Sequence, residues 1–201
     1  MKIFISGGCK NGKSSFAQQL ARAQRVLEIS VAGSAQQTES LYYIATMKPV
    51  DSEDKERIVR HRREREGWGF TTVEQPTDIE KILDTCDSNG SFLLDSLTAL
   101  LANEMFPSNT NVNDRAAKKI ISGLRRLTDN INNIVIVSDY IYSDAFLYDP
   151  LTTQYRESLA EIDRAAAENC DVVLEAAFSN LIVHKGNDLF NGLWSNNEKI
   201  P

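Results

Sequence analysis

The chain has 201 residues, of which 42% are hydrophobic, and it carries a formal net charge of −6. The negative charge argues against a general nucleic-acid binder, because such proteins need a positive field to displace counterions from phosphates. The three cysteines lack metal-ligand spacing and no apolar run approaches the length of a membrane span, so we expect a cytoplasmic protein with neither a disulfide framework nor a membrane partner.

Short apolar segments alternate with longer amphipathic ones along the whole chain. We predict strands at 2–6, 41–45, 91–95, 133–138, 171–177 and 181–185. We predict helices at 13–27, 53–66, 77–86, 96–106, 114–129 and 151–169. This alternation is typical of an α/β fold whose mostly parallel sheet carries helices on both faces. The length of the chain predicts one domain over residues 1–201, in which 188–201 form a C-terminal tail.

Two of these helices begin with capping signals. Thr77 is followed three residues later by Glu80, which predicts a capping box at the start of the third helix. Asp114 precedes the helix RAAKKIISGLRRL, and we predict that its side chain caps that helix.

The first predicted strand runs directly into the sequence GGCKNGKSS at residues 7–15. This segment fits the pattern G-x-x-x-x-G-K-[ST] in its required context, between a strand and a helix, so we predict a P-loop NTPase-like fold. Backbone N–H groups of such a loop surround phosphate oxygens, and the helix N-terminus adds its positive end. The predicted nucleotide-binding residues of this phosphate loop are Gly7, Gly8, Cys9, Lys10, Asn11, Gly12, Lys13, Ser14 and Ser15.

Lys13 and Ser14 have distinct predicted roles in the phosphate loop. Lys13 is the predicted catalytic cation, which meets the β and γ phosphates, and Ser14 is a predicted ligand of the Mg²⁺ that bridges them. The second metal ligand is a carboxylate at the end of another strand, because ligands of open parallel sheets bind at that edge. Asp95 and Asp139 both meet this rule. We place Asp95 in the site and keep Asp139 as the alternative.

The order of motifs resembles a known enzyme family. The phosphate loop is followed by LYYIAT at 41–46, RIVRHRREREGW at 57–68 and FLLDSLTALLANEMF at 92–106. Together they resemble the bifunctional adenosylcobinamide kinase / adenosylcobinamide-phosphate guanylyltransferase family of cobalamin biosynthesis. The resemblance is close over residues 1–105 and loose afterwards, because VSDYIYSD at 137–144 stands where the family commonly has T-N-E-V-G.

The resemblance implies a specific chemistry. It implies that the chain phosphorylates adenosylcobinamide with ATP or GTP, and then transfers GMP from GTP to form adenosylcobinamide-GDP. His61 would be the catalytic nucleophile that carries GMP in a covalent GMP-histidine intermediate. Thr46, Arg57 and Arg62 would bind nucleotide. The resemblance also implies a homotrimer, whereas the cofactor Mg²⁺ is predicted from the phosphate loop.

The residues around His61 allow two interpretations. On a helix, Arg57, His61 and Arg65 fall on one face, so that an imidazole lies between two guanidiniums suited to phosphate oxygens. The same mixed charges are also typical of a solvated helix face. Two alternative functions therefore stay open: an enzyme with only one of the two activities, and a non-catalytic nucleotide-binding regulator. We assign His184, in an apolar segment, no catalytic role.

Overall fold

A computed structural model of the protein describes residues 1–32, 40–49, 56, 58–59, 62–63, 65–108 and 111–197. The strands are β1 (Lys2–Gly7), β2 (Leu41–Ala45), β3 (Phe70–Glu74), β4 (Ser91–Asp95), β5 (Asn133–Val137), β6 (Val172–Ala177) and β7 (Asn180–Lys185). The α-helices are α1 (Lys13–Ala32), α2 (Leu97–Met105), α3 (Ala116–Asn130), α4 (Pro150–Asn169) and α5 (Asn187–Asn197), with a 3₁₀ helix at Ile79–Asp84.

The described strands form one seven-stranded sheet in the order β3-β2-β4-β5-β1-β6-β7. Every neighbouring pair is parallel except β6 and β7, which are antiparallel. Val137 of β5 is in register with Ile5 of β1 on one side and with Asp95 of β4 on the other. The carboxyl ends of these three strands therefore meet at one edge of the sheet.

The sheet has helices on both faces, as predicted. Alternate residues of a strand point to opposite faces, and in β4 Phe92 and Leu94 pack into one buried cluster while Leu93 packs into the other. The first cluster includes residues of the 3₁₀ helix, α2, α3 and α4, and the second includes residues of α1 and α5. Both faces of the central strands are therefore buried, which explains their continuous apolar sequences.

The structure differs from the predicted elements at three places. The tail predicted at 188–201 contains helix α5, because Phe190 and Leu193 are buried against the α1 face of the sheet. Strand β3 was missed, since this edge strand exposes most of its residues and lacks a clear apolar pattern. The helix predicted at 77–86 is a short 3₁₀ helix that the turn at Asp87–Gly90 follows closely.

Neither predicted cap is present. The 3₁₀ helix is preceded by Asp78 in a left-handed conformation with no side-chain cap, so Thr77 and Glu80 form no capping box. Helix α3 begins after Arg115, also without a side-chain cap. The carboxylate of Asp114 instead accepts a hydrogen bond from Gln154 of α4, 2.9 Å away. The Asp114 side chain therefore bonds to the neighbouring helix α4 instead of capping α3.

The other helices agree with the predictions within a few residues, apart from α1, which continues to Ala32. Of the helix predicted at 53–66, residues 56, 58, 59, 62 and 63 are helical, and His61 and Arg57 lie outside the described residues. Within the part of the chain that the structure describes, no helix combines the length and apolarity that a membrane crossing requires.

Candidate nucleotide-binding site

The phosphate loop connects β1, which ends at Gly7, to α1, which begins at Lys13. Gly12 has a φ of +82° and Lys10 a φ of +59°, and these left-handed conformations curl the loop back on itself. A Cβ on Gly7 would lie 2.3 Å from the carbonyl oxygen of Ala176 on the neighbouring strand β6. The glycine at position 7 is therefore needed for β1 and β6 to pack at this edge.

Lys13 is held inside the loop by two oxygens. Its Nζ donates a hydrogen bond to the carbonyl oxygen of Gly8 at 2.7 Å and lies 2.8 Å from Oδ1 of Asp139. The lysine is only 7% exposed, whereas the Asp139 side chain is 33% exposed. A positive charge is thus already fixed where the sequence predicts phosphate oxygens.

Asp139 immediately follows the end of β5, and its backbone is tied to two elements. Its N–H donates to Oγ1 of Thr98 on α2 at 3.0 Å, and the next residue, Tyr140, donates its N–H to the carbonyl oxygen of Gly7. Thr98 is held in turn by Tyr155 of α4, whose hydroxyl donates to the Thr98 carbonyl oxygen at 2.8 Å. The segment after β5 is therefore fixed against the phosphate loop.

Asp95, at the end of β4, is held by β2. The hydroxyl of Tyr43 donates to Oδ2 of Asp95 at 2.7 Å, and the N–H of Thr46 donates to the Asp95 carbonyl oxygen. The Thr46 hydroxyl donates to the carbonyl oxygen of Ser96 and accepts from the Ser96 N–H, both at 2.8 Å. Thr46 thus fixes the chain at Asp95, and its own contact with nucleotide stays a prediction.

The predicted Mg²⁺ ligands fit that ion chemically. Mg²⁺ prefers oxygen ligands and is commonly bound by one or two protein groups together with substrate phosphates and water. Ser14, in the first turn of α1, offers a half-buried hydroxyl, and the half-buried Asp95 offers a carboxylate at the same edge of the sheet. The loop residues Cys9, Lys10 and Ser15 are exposed.

Arg65 connects the segment that contains His61 to β2. Its guanidinium carbon lies 3.5 Å from the centroid of the Tyr43 ring, and the residue is only 7% exposed. The Nη1 atom of Arg65 is buried and has no hydrogen-bond partner in the described part of the chain. Arg65, Tyr43 and Asp95 therefore form a continuous series of contacts from the histidine segment to the predicted metal ligand.

Two other described residues of this segment, Arg62 and Trp68, contact β3 and α1, respectively. Arg62 is exposed and helical, and its Nη2 lies 2.5 Å from Oε1 of Glu74 at the end of the edge strand β3. Trp68 lies under the guanidinium of Arg22 on α1, 4.7 Å from the ring centroid. Binding of nucleotide by Arg62, and by the undescribed Arg57 and His61, stays a prediction.

One buried acid near the site was not singled out as a site residue. Asp163 of α4 is 3% exposed, and its Oδ2 accepts a hydrogen bond from the hydroxyl of Tyr142 at 3.1 Å. Burial and the nearby charge of Asp139 raise the pKa of Asp163 to about 7, although the hydroxyls of Ser138 and Tyr142 oppose this shift. The sequence feature that could have identified Asp163 is an aspartate on the otherwise apolar face of a predicted helix.

Comparisons with known proteins identify a matching family model and solved structures with some similarity to this chain. The model of a family described as cobinamide kinase / cobinamide phosphate guanyltransferase matches residues 3–178. A KaiC-like protein of Pyrococcus horikoshii OT3 is 12% identical with a TM-score of 0.49, and the match covers 92% of this chain and 78% of that one. A second P. horikoshii OT3 protein is 10% identical with a TM-score of 0.40, covering 92% and 85%. No curated protein matches the sequence.

Proposed function

The chain belongs to the cobinamide kinase / cobinamide phosphate guanyltransferase family, and on this premise we propose that it catalyses both reactions of the family name. In the first, ATP or GTP donates its γ-phosphoryl group to the hydroxyl of adenosylcobinamide. In the second, GMP passes from GTP to the phosphorylated product through His61, which gives adenosylcobinamide-GDP. We also propose that the protein is cytoplasmic and forms a homotrimer. Light scattering of the purified protein would test the oligomeric state.

The observation that carries the proposal is the preformed position of Lys13 between Gly8 and Asp139. When a nucleotide binds, its β and γ phosphates would replace the Asp139 carboxylate as the partner of the lysine ammonium. Phosphoryl transfer depends mainly on positioning and on neutralising charge that develops on phosphate oxygens. Ser14 and Asp95 would hold the Mg²⁺ that completes this neutralisation, because they lie at the same edge of the sheet.

The guanylyl transfer would use the helix that precedes Arg65. In this step an unprotonated nitrogen of His61 attacks the α-phosphate of GTP, and pyrophosphate leaves. The phosphate of the acceptor then displaces the histidine from the GMP phosphorus. Arg57 and Arg62 would stabilise charge on the phosphate oxygens. Arg65 supports this arrangement because its side chain is buried against Tyr43, next to Asp95.

The two acceptors, supplied separately, test the proposal. Purified protein would receive Mg²⁺, ATP and GTP with either adenosylcobinamide or adenosylcobinamide phosphate, and the corrinoid products would be separated by chromatography. We expect both acceptors to yield adenosylcobinamide-GDP. Product from the phosphate alone would select a monofunctional guanylyltransferase, and product that stops at the phosphate would select a monofunctional kinase. Nucleotide binding without any turnover would select a non-catalytic regulator.

A further inference from the structure

The carboxylate of Asp139 is the protein group that contacts the phosphate-loop lysine across the site. Its Oδ1 lies 2.8 Å from Nζ of Lys13, the atom predicted to meet the β and γ phosphates. A carboxylate in direct contact with this ammonium lies within a few ångströms of where a γ-phosphate would bind. An acceptor hydroxyl that attacks the γ-phosphorus has to approach the same place.

Backbone hydrogen bonds would keep Asp139 at the site after a nucleotide phosphate has replaced its carboxylate beside Lys13. The hydrogen bond from its N–H to Oγ1 of Thr98 and the bond from Tyr140 to Gly7 fix its backbone. Its side chain is one-third exposed, so an incoming acceptor has access to it. Displaced from the lysine, the carboxylate would lie at the phosphates with at least one oxygen free to accept a proton.

We propose that Asp139 is a catalytic residue of phosphoryl transfer, the general base that accepts the proton of the acceptor hydroxyl. This assignment rests on the proposed kinase function. The hydroxyl oxygen forms a bond to the γ-phosphorus, and the bond from that phosphorus to the β,γ-bridging oxygen breaks. The electron pair of the broken bond leaves with the nucleoside diphosphate. The hydroxyl proton passes to the Asp139 carboxylate and from there to water.

The two competing roles of Asp139 make different predictions. A residue that only neutralises Lys13 in the free protein competes with phosphate, so removing its charge would tighten nucleotide binding and leave kcat unchanged. A metal ligand would change the Mg²⁺ concentration that the reaction requires, and saturating Mg²⁺ would restore kcat. A general base instead affects kcat of the step in which a hydroxyl proton is removed.

The guanylyl transfer provides an internal control for this test. Its acceptor is a phosphate that has no hydroxyl proton to lose at neutral pH, so this step does not need the base. A variant that has lost only the base should therefore phosphorylate poorly and still transfer GMP to an acceptor that is already phosphorylated. A misfolded variant would lose both reactions.

The experiment compares Asp139→Asn with the wild type in both reactions at saturating ATP, GTP and Mg²⁺. The matched control is Asp144→Asn, which changes an exposed carboxylate of the same segment that pairs with Arg156 at 2.9 Å. We expect Asp139→Asn to lower kcat for adenosylcobinamide phosphorylation by about 10²- to 10⁴-fold. Its KM for ATP should be unchanged or lower, and its guanylyl transfer to adenosylcobinamide phosphate should stay within about twofold of wild type, as should both reactions of Asp144→Asn.

Three results would overturn the assignment. They are a kcat of Asp139→Asn within about threefold of wild type, an equal loss of both reactions, and recovery of kcat at high Mg²⁺. If wild-type protein transfers no phosphoryl group to adenosylcobinamide but does transfer GMP to its phosphate, the proposed kinase function fails and the base assignment fails with it. That outcome is separate from the other three, because it is visible in the wild type alone.

Discussion

The phosphate loop and the histidine segment, residues 56–68, are both predicted to contact nucleotide, but they are built differently. The loop is fixed by backbone conformation and by Lys13, which is buried between Gly8 and Asp139. In the described part of the histidine segment most side chains are exposed. Its contacts with the rest of the fold include the stacking of Arg65 on Tyr43 and of Trp68 under Arg22.

This difference would separate the two proposed reactions physically. The phosphate loop exists before nucleotide binds, so reactions that use it depend on few adjustable contacts. The described residues of the histidine segment contact the sheet through side chains such as Arg65 on Tyr43 and Arg62 with Glu74. The guanylyl transfer should therefore be sensitive to changes at those side chains that leave phosphorylation intact. Substitutions in each region should therefore affect the two reactions unequally.

The largest combined effect on the two reactions is expected from Lys13→Ala, which removes the fixed charge of the phosphate loop. Both reactions should fall by about 10³-fold, because the stabilising charge on the phosphates is lost. The unfolding temperature without nucleotide should change little, since Asp139 is partly exposed and water can solvate it. Steady-state rates and a thermal melt check this, with the exposed Lys118→Ala as control. Normal turnover by Lys13→Ala would show that the phosphate-loop assignment is wrong.

Asp95→Asn tests the carboxylate that Tyr43 connects to the histidine segment. The substitution removes the negative charge that we propose for Mg²⁺ and keeps the side-chain shape. The Mg²⁺ concentration for half-maximal activity should rise by about tenfold or more, since an amide is a weaker ligand than a carboxylate for this ion. A magnesium titration of each reaction measures the change. An unaltered requirement in Asp95→Asn would move the metal role to Asp139.

Arg65→Met tests whether the histidine segment depends on the contact of Arg65 with Tyr43. The substitution keeps much of the buried volume and removes the guanidinium from the Tyr43 ring, an interaction worth about 1–2 kcal/mol when desolvated. We expect guanylyl transfer to fall by up to about tenfold while phosphorylation stays near wild type. Arg63→Met, at an exposed position of the same segment, is the control. Equal effects of the two substitutions on both rates would contradict this anchoring role.

The smallest effect concerns stability at Asp163, which contacts Tyr142 in the segment that follows β5. Because the folded pKa of Asp163 is raised to about 7, its proton is retained in the folded state and lost in the unfolded state between about pH 4 and pH 7. Its contribution to stability is therefore present at low pH and falls as pH rises, by about 1 kcal/mol between pH 6 and pH 8. Urea unfolding should show that Asp163→Asn lacks this component of the pH dependence. An identical dependence in both proteins would disprove it.

The sequence predicted the local parts of this architecture well. The strand, glycine-rich loop and helix that form the phosphate loop are adjacent in the chain, so their pattern is visible without the fold. Asp95 was recognisable because it ends an apolar strand. The predicted fold class is confirmed, since its signal is the alternation of strands and helices along the whole chain.

The contacts that the sequence could not predict all join distant residues. The pairs Lys13 with Asp139, Tyr43 with Asp95 and Arg65 with Tyr43 depend on strand order and register. The predicted cap of α3 failed for the same reason, because the Asp114 carboxylate contacts Gln154 of α4 instead of its own helix. Helix α5 was missed because its burial against α1 follows from the position of β6 and β7 rather than from a strong sequence pattern.

The central claim is that His61 carries GMP, and covalent labelling tests it most directly. Protein would be incubated with Mg²⁺ and GTP labelled at the α-phosphate, then denatured, and the retained label measured. We predict label on the wild type that is stable in base and labile in acid, as a phosphoramidate is. His61→Ala should retain none but keep much of its kinase activity, and GTP labelled only at the γ-phosphate should leave no adduct. Wild-type protein that never retains the α-label, or His61→Ala that retains it fully, would contradict the account.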